Sequence, residues 1–476
     1  MKSIAKIKLF ICNKLSLFLI LILSLLYLIL CIKFQVIPLS SFPQKIKIQT
    51  SNFATKTTLN HVVFGIASTS NLWNKRKSYV KLWWKPNTMR GFVWLEKLPV
   101  KSDEKQNDSF LLPPIKISSN TSNFKYTNPR GRRSAIRISR IVSESVKLKM
   151  QDVRWYVMGD DDTFFVTENL VRVLEKLDHD EFYYVGSNSE THVQNIDFSY
   201  NMAFGGGGFA ISHALAKALA KMQDSCLHRY PNLYGSDDRI QACVAELGVP
   251  LTKHSGFHQC DVLKSIFGLL AAHPVTPLIS LHHLDIISPI FPNAADRVQA
   301  LSRLTIPMKL DAAALAQQSI CYEKVHNWTV SVSWGYAVQI FQTIQYPREL
   351  ERPARTFTTW QRSYDPKDYA FNTGTFGTHD HCEMPAVYLL SNVVLNSKTN
   401  RTESEYLTPH SSTEKLRCTK LKELDDPSVL VKRVEVHKAP DPNLWFKSPR
   451  RNCCRIVKTE KNGTMVVDVG PCVEDE

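Results

Sequence analysis

Acidic side chains are the scarcer sign in this chain of 476 residues, 44 against 59 lysines and arginines, which leaves a formal charge of +15. Such an excess suits anionic ligands and membrane surfaces as well as nucleic acid, and alone it selects none of them. What is missing selects more. The basic clusters at Arg130 to Arg140 and Lys447 to Arg455 carry no interleaved aromatic residues, so the signature of a nucleic-acid surface is absent and both read as solvated faces. No internal repeat and no long low-complexity tract is present, which excludes repeat architectures and disordered arrays. Long uncharged apolar runs are scarce too, and the one that stands out is Leu15 to Ile32, flanked by Lys14 and Lys33.

That run has about the length a bilayer core demands of a helix. Lys2, Lys6, Lys8 and Lys14 precede it, so the positive-inside rule keeps residues 1–14 in the cytosol, makes 15–32 a signal-anchor and sends the remainder to the lumen. A cleaved signal peptide is the weaker reading, because the run exceeds a usual h-region and Lys33-Phe34-Gln35 offers no small-residue cleavage pattern. Sequons at Asn107, Asn120, Asn327, Asn400 and Asn462 agree with a luminal body. Of the eleven cysteines, Cys12 and Cys31 lie in or near the anchor, and the remaining nine begin at Cys226 and thicken toward the C-terminus. Disulfides are expected there with no readable connectivity, and the odd number leaves one thiol free or paired between chains.

A length of 476 residues exceeds one ordinary core, so two globular units are expected beside the anchor. Residues 33–60 are polar and read as a stem. His61 to Ala67 and Gly91 to Leu95 are buried-strand candidates, separated by a helix from Lys75 to Trp84 that aligns Tyr79, Val80, Trp83 and Trp84. Glu96 to Asn128 is a solvated loop, and Ser134 to Lys149 is one helix with Ala135, Ile138, Ile141, Val142 and Val146 on a single face. Further strands are predicted at Val153 to Met158 and Phe182 to Val185, and helices at Asn169 to Leu177, Ser212 to Met222 and Asp238 to Leu247. This alternation predicts an α/β domain over 61–305 with a twisted, mostly parallel sheet and helices on both faces. Residues 306–476 hold alternating runs such as Trp328 to Trp334 and most of the cysteines, and are predicted to be β-rich.

The chemistry concentrates at Gly159-Asp160-Asp161-Asp162-Thr163, placed where an apolar strand ends and where open α/β sheets bind ligands. Three adjacent carboxylates repel one another, and a divalent cation supplies the compensating charge. Oxygen ligands shared with phosphate suit Mn²⁺ or Mg²⁺. Calcium-loop spacing fails because Thr163-Phe164-Phe165 follows; an Asp-x-Asp-x-Thr phosphotransfer motif has Phe164 where threonine is needed, with Thr163 one residue away, and stays as the weaker rival.

Taken in order, Trp155 to Phe165, Phe204 to Ser212, Tyr234 to Arg239, Gly256-Phe-His-Gln259 and Ser280-Leu-His-His-Leu-Asp285 resemble the plant Fringe-related proteins, relatives of the Fringe β-1,3-glycosyltransferases of glycosyltransferase family 31. The resemblance runs from about His61 to Asn293. It implies a Rossmann-like GT-A fold, a single-pass type II Golgi membrane topology, a UDP-sugar donor, a glycan or other hydroxyl acceptor, and Mn²⁺. Residue by residue it implies Asp162 as metal ligand with Asp160 beside it, Asp160 and Asp161 also placing the nucleotide, His258 as the metal-binding imidazole with His282 and His283 as competitors, and Arg76 near the nucleotide. It implies Asp238 as the general base, with Asp237 free to cap the helix. Gly205, Gly206, Gly207 and Gly208 would form a loop along which a sugar closely approaches the backbone. Trp83 and Trp155 read as core. The segment Asp261 to Ser265 departs from the family pattern and places Lys264 near the acceptor, and the resemblance does not reach beyond Leu301. The implied reaction is a single inverting displacement. The competing readings are a non-catalytic luminal carbohydrate-binding or scaffold protein on a retained transferase fold and, third, a phosphate-ester hydrolase.

Overall fold

The computed structural model describes residues 21–30, 56–99, 110–375, 384–409 and 426–472. Residues 21–30 are helical and exposed. Among the described residues no helix is long and apolar enough to cross a membrane, so the expected transmembrane helix over 15–32 is not found. Its flanks, the tail at 1–14 and most of the stem lie outside the described residues. Thr57 to Glu476 forms one compact unit. Within this unit buried Thr57 accepts from Arg154 Nη1 at 3.1 Å.

Strands β1 (Val62–Ala67), β2 (Arg90–Leu95), β3 (Ile115–Ile117), β4 (Trp155–Asp160), β5 (Tyr184–Gly186), β6 (Phe209–Ser212) and β7 (Leu251–Lys253) make a seven-stranded sheet in the order β3-β2-β1-β4-β6-β5-β7. Every residue of β1 is buried, as a continuous apolar run requires when both sheet faces are covered. The strands run parallel except β6, which is antiparallel to β4 and β5; the sheet is thus mixed. Helix α1 (Trp73–Trp83) packs one face through Trp73, Tyr79, Val80 and Trp83. On the other face, α2 (Ser134–Ser139), α3 (Ile141–Lys147), α4 (His213–Arg229) and α5 (Asp237–Glu246) are placed by a cluster that joins Ile136, Val142, Leu219 and Val244 to Val63, Tyr156 and Ile211.

The single helix expected over 134–149 is interrupted at Arg140, whose N–H bonds Arg137 O at 3.2 Å and tightens one turn. This lets the Arg140 guanidinium reach both Glu144 and Asp224. The loop expected over 96–128 contains the edge strand β3. A boundary at 305/306 falls inside a continuous helix, α6 (Arg297–Asp311).

Beyond α6 the chain closes an eight-stranded barrel. Its strands are β8 (Gln318–Glu323), β9 (Trp328–Ser333), β10 (Ala337–Phe341), β11 (Ala386–Asn396), β12 (Arg401–Leu407), β13 (Arg433–Lys438), β14 (Cys453–Thr459) and β15 (Thr464–Gly470). Disulfides Cys321–Cys454 and Cys453–Cys472 fasten the barrel, and Cys226–Cys243 fastens α4 to α5. Cys260 is a buried free thiol. The barrel and the α/β sheet share one continuous core, which holds Phe64 and Val157 as well as Val330, Val434 and Met465.

Candidate active site

Strand β4 ends in register with β1, Asp160 beside Ala67, so the three aspartates leave the sheet at its carboxyl edge. The turn that follows is fixed before any ligand arrives. Thr163 Oγ1 accepts from Asp160 N at 2.8 Å and donates to Gly206 O at 2.6 Å, and Trp83 Nε1 holds Thr163 O at 2.9 Å. Two-residue strands Phe164–Phe165, Ser280–Leu281 and Phe257–His258 form a small sheet over this edge and bring distant segments to the carboxylates.

The three acids have different surroundings. Asp161 is buried, accepts from Ser68 Oγ, and meets Arg76 Nη1 at 3.0 Å. Asp162, also buried, meets Arg76 Nη1 at 3.3 Å and His282 Nε2 at 3.2 Å. Asp160 keeps 39% of its side chain exposed within the cleft and lies 3.6 Å from His282 Nε2. Arg76 completes its pairing through Nε to Asp285 Oδ2 at 2.6 Å. The arginine expected near a nucleotide thus stands inside the acidic cluster.

Protonation follows from this crowding. Burial, reinforced by Asp162 and Asp237 and opposed by His282, lifts the Asp160 carboxyl to about 7. Burial also raises Asp161. For Asp162 burial pushes the same way, but the His282 charge and hydrogen bond, together with Arg76, win and hold it below the usual carboxylate range. Burial would depress His282; Asp162 and Asp160 instead raise it to about 9. The cluster therefore keeps a protonated imidazole where a cation is called for.

The donor set fits a divalent ion. Asp160, Asp162 and His282 each offer one ligand atom, and the three atoms lie within 4.8 Å of one another. Two carboxylates and one imidazole suit Mn²⁺ or Mg²⁺ better than a calcium cage. His282 Nδ1 donates to Gln259 O at 3.3 Å, which orients Nε2 toward the carboxylates as a metal-ligating imidazole requires.

The structure does not bring His258 there. Its Nδ1 faces Glu190 Oε1 at 3.3 Å and its Nε2 faces His273 Nε2 at 3.0 Å. His283 turns to Asp261 Oδ1 at 3.4 Å. The paired aspartates are held differently. Asp238 accepts from Tyr234 N at 2.7 Å and Gly235 N at 3.0 Å, so its carboxylate closes a backbone turn. Asp237 accepts from Gly205 N at 2.9 Å and Ser236 Oγ at 3.0 Å, and burial raises its pKa, with His282 among its electrostatic neighbours. Asp237, with Asp160, lines a small crevice beside Gly205.

The four glycines serve the protein's own packing. A Cβ at Gly206 would collide with the His282 ring, and one at Gly205 with Asp237 Oδ1. Gly207 N donates to Gln259 Oε1 at 2.5 Å, and Gly208 adopts φ +85°, open to glycine at no steric cost. Backbone here approaches the imidazole and the carboxylate rather than standing free for a sugar. Ser68, Thr163, Gln259 and Asp285 complete the site; Thr163, Gln259 and Asp285 each stand in a sequence motif, with no role assigned to them there.

A family model described as Fringe-like matches residues 57–302, and a second, described as a protein of unknown function, DUF604, matches residues 194–454. Among solved structures, an active-site mutant of LgtC is 11% identical, covering 52% of this chain and 95% of that chain at a TM-score of 0.31. The apo form of mouse xyloside xylosyltransferase 1 is 8% identical, covering 45% of this chain and 90% of that chain at a TM-score of 0.26. Likenesses this loose carry no argument about chemistry. No curated protein matches the chain.

Proposed function

We propose that this chain, which belongs to the Fringe-like family and is a glycosyltransferase, moves a sugar from a UDP-sugar to a hydroxyl of a glycan or other acceptor with inversion, using Mn²⁺ or Mg²⁺ held by Asp160, Asp162 and His282. The observation that carries this reading is the convergence of those three donors at the carboxyl edge of the sheet, beside a buried-edge carboxylate, Asp237. When bound, such an ion supplies positive charge where the departing diphosphate gathers negative charge.

The chain's own groups do the rest. Arg76 sets Asp161 and Asp162 and places a guanidinium beside the diphosphate. Asp161, tied by Ser68, holds the turn. Asp237 takes the proton of the acceptor hydroxyl as that oxygen attacks the anomeric carbon and the bond to the diphosphate breaks. Burial raises its pKa, which makes the carboxylate a stronger base than a solvated aspartate. Binding in one cleft orients the two sugars.

We further place the protein in the Golgi as a type II membrane protein, anchored by residues 15–32. The flanking lysines support this, as do three disulfides and the exposure of Asn120, Asn327, Asn400 and Asn462, the sequons within the described residues.

The test is UDP release from a panel of UDP-sugars by purified full-length protein. Release is expected with Mn²⁺, lost in excess EDTA, and lost in Asp162→Ala. Turnover that survives EDTA would remove the metal from the reading, and no release from any donor would favour a binding protein.

A further inference from the structure

A large cavity lies away from the acidic cluster among the described residues. It encloses about 920 Å³ between the segment Ser187 to Glu190, the strand Phe257–His258, and residues Arg348 to Gly374. This is the upper end of the range for ligand pockets, roughly 300–1,000 Å³. Just over half of its lining residues lie beyond 302, where the Fringe-like match ends, so the C-terminal part and the matched part build the cavity together.

Its charges do not balance. His273 Nδ1 must donate to Pro274 O at 2.9 Å, because a carbonyl only accepts. His273 Nε2 is then an acceptor and takes the proton of His258 Nε2 at 3.0 Å. The remaining nitrogen of His258 faces Glu190 at 3.3 Å. Glu349 is paired with Arg352, and Glu351 with Arg451 at 3.5 Å. Lys253, Arg348 and Arg355 line the same cavity and make no ion pair among the described residues. The Nε of Arg451 is buried without a hydrogen-bond partner. Arg355 is held in place by Thr373 Oγ1 at 2.8 Å. Amide and hydroxyl groups of Asn188, Ser187 and Asn372 alternate with Phe257, Leu269 and Phe371, a mixture that suits the polar edges and apolar faces of sugar rings.

We propose that this cavity binds an acidic oligosaccharide, a glycan bearing carboxylate or sulfate groups, through Lys253, Arg348 and Arg355. The saccharide nature of the ligand rests on the glycosyltransferase reading; the acidic nature rests on the uncompensated cations. The strand that walls the cavity runs on into Gln259, which touches both Gly207 and His282. An occupant is thereby seated one short strand from the reaction centre and acts as a docking site for acceptors of that class.

Full-length protein in detergent is titrated with a tetragalacturonide, a heparin tetrasaccharide and a neutral cellotetraose. At least one acidic tetrasaccharide binds tenfold or more tightly than the neutral one, weakening with salt, and the arm that binds names the acid group. The double variant Arg348→Ala, Arg355→Ala loses about tenfold in affinity, the loss expected for charge-assisted hydrogen bonds. Arg355→Lys in the Arg348 background retains most of it. UDP release without acceptor is unchanged in every variant, because the acidic cluster is untouched. Equal binding of the neutral tetrasaccharide, or unaltered acidic binding in the double variant, overturns the proposal. Acidic binding by a protein that releases no UDP would overturn the catalytic reading and leave the site standing.

Discussion

Two histidines, one ending the strand Phe257–His258 and one just past its neighbour Ser280–Leu281, show how finely position decides chemistry. Leu281 is the register partner of His258, so His282 sits one residue further along, and alternation turns its ring to the opposite face. One imidazole joins the carboxylates, and the other faces the large cavity. His282→Ala is therefore expected to weaken Mn²⁺ activation by roughly 10–100-fold, as loss of metal-site support does elsewhere, while His258→Ala leaves the Mn²⁺ titration midpoint in place. The opposite result would return the metal to position 258. The paired aspartates part in the same way. Asp237→Asn should cost at least about 10²-fold in kcat with KM for the donor little changed, as removal of a general base does. Asp238→Asn should lower the thermal midpoint more than kcat, because its oxygens close a backbone turn. The acidic triplet was legible in the sequence since a strand end followed by carboxylates is a local pattern. Facing is not local: spacing could not say whether position 258 or 282 meets Asp162, nor that Asp237 rather than Asp238 looks into the cleft.

Among the elements, the core strands and helices were readable wherever an apolar run was long, as at Val62–Ala67 and Trp73–Trp83. Strand β6 was hidden behind four consecutive glycines, and its four residues pair with non-local partners. The barrel was predicted only as β-rich texture, because closure depends on strand pairs far apart in the chain, such as β8 with β14 and β13 with β15. At that first seam Ile320 pairs with Cys453, and Cys321–Cys454 lies directly beside it, spanning 133 residues. Replacing both Cys321 and Cys454 by Ala should lower the unfolding free energy by about 2–5 kcal/mol, the usual cost of losing a native disulfide. Denaturant titration under non-reducing conditions reads this, and an unshifted midpoint would mean that strand pairing alone closes the seam.

At the scale of the whole molecule, the sequons and the N-terminal apolar run predict a luminal protein. All four described sequons are exposed. Expressed in eukaryotic cells, the chain should lose apparent mass on treatment with a peptide N-glycosidase, in steps removable by Asn→Gln at 120, 327, 400 and 462. A chain with no glycosidase-sensitive mass would place it outside the secretory pathway.

Helix α6 carries the chain from the transferase sheet into the barrel, and at its end Asp311 Oδ2 meets Lys438 Nζ of β13 at 2.6 Å with both side chains almost sealed from solvent. Removing one partner of such a pair costs about 3–5 kcal/mol. A clone ending with α6 would leave that aspartate without its lysine at a cut face, so the C-terminal part has to be treated as the keel of the enzyme, inseparable from it in any expression design.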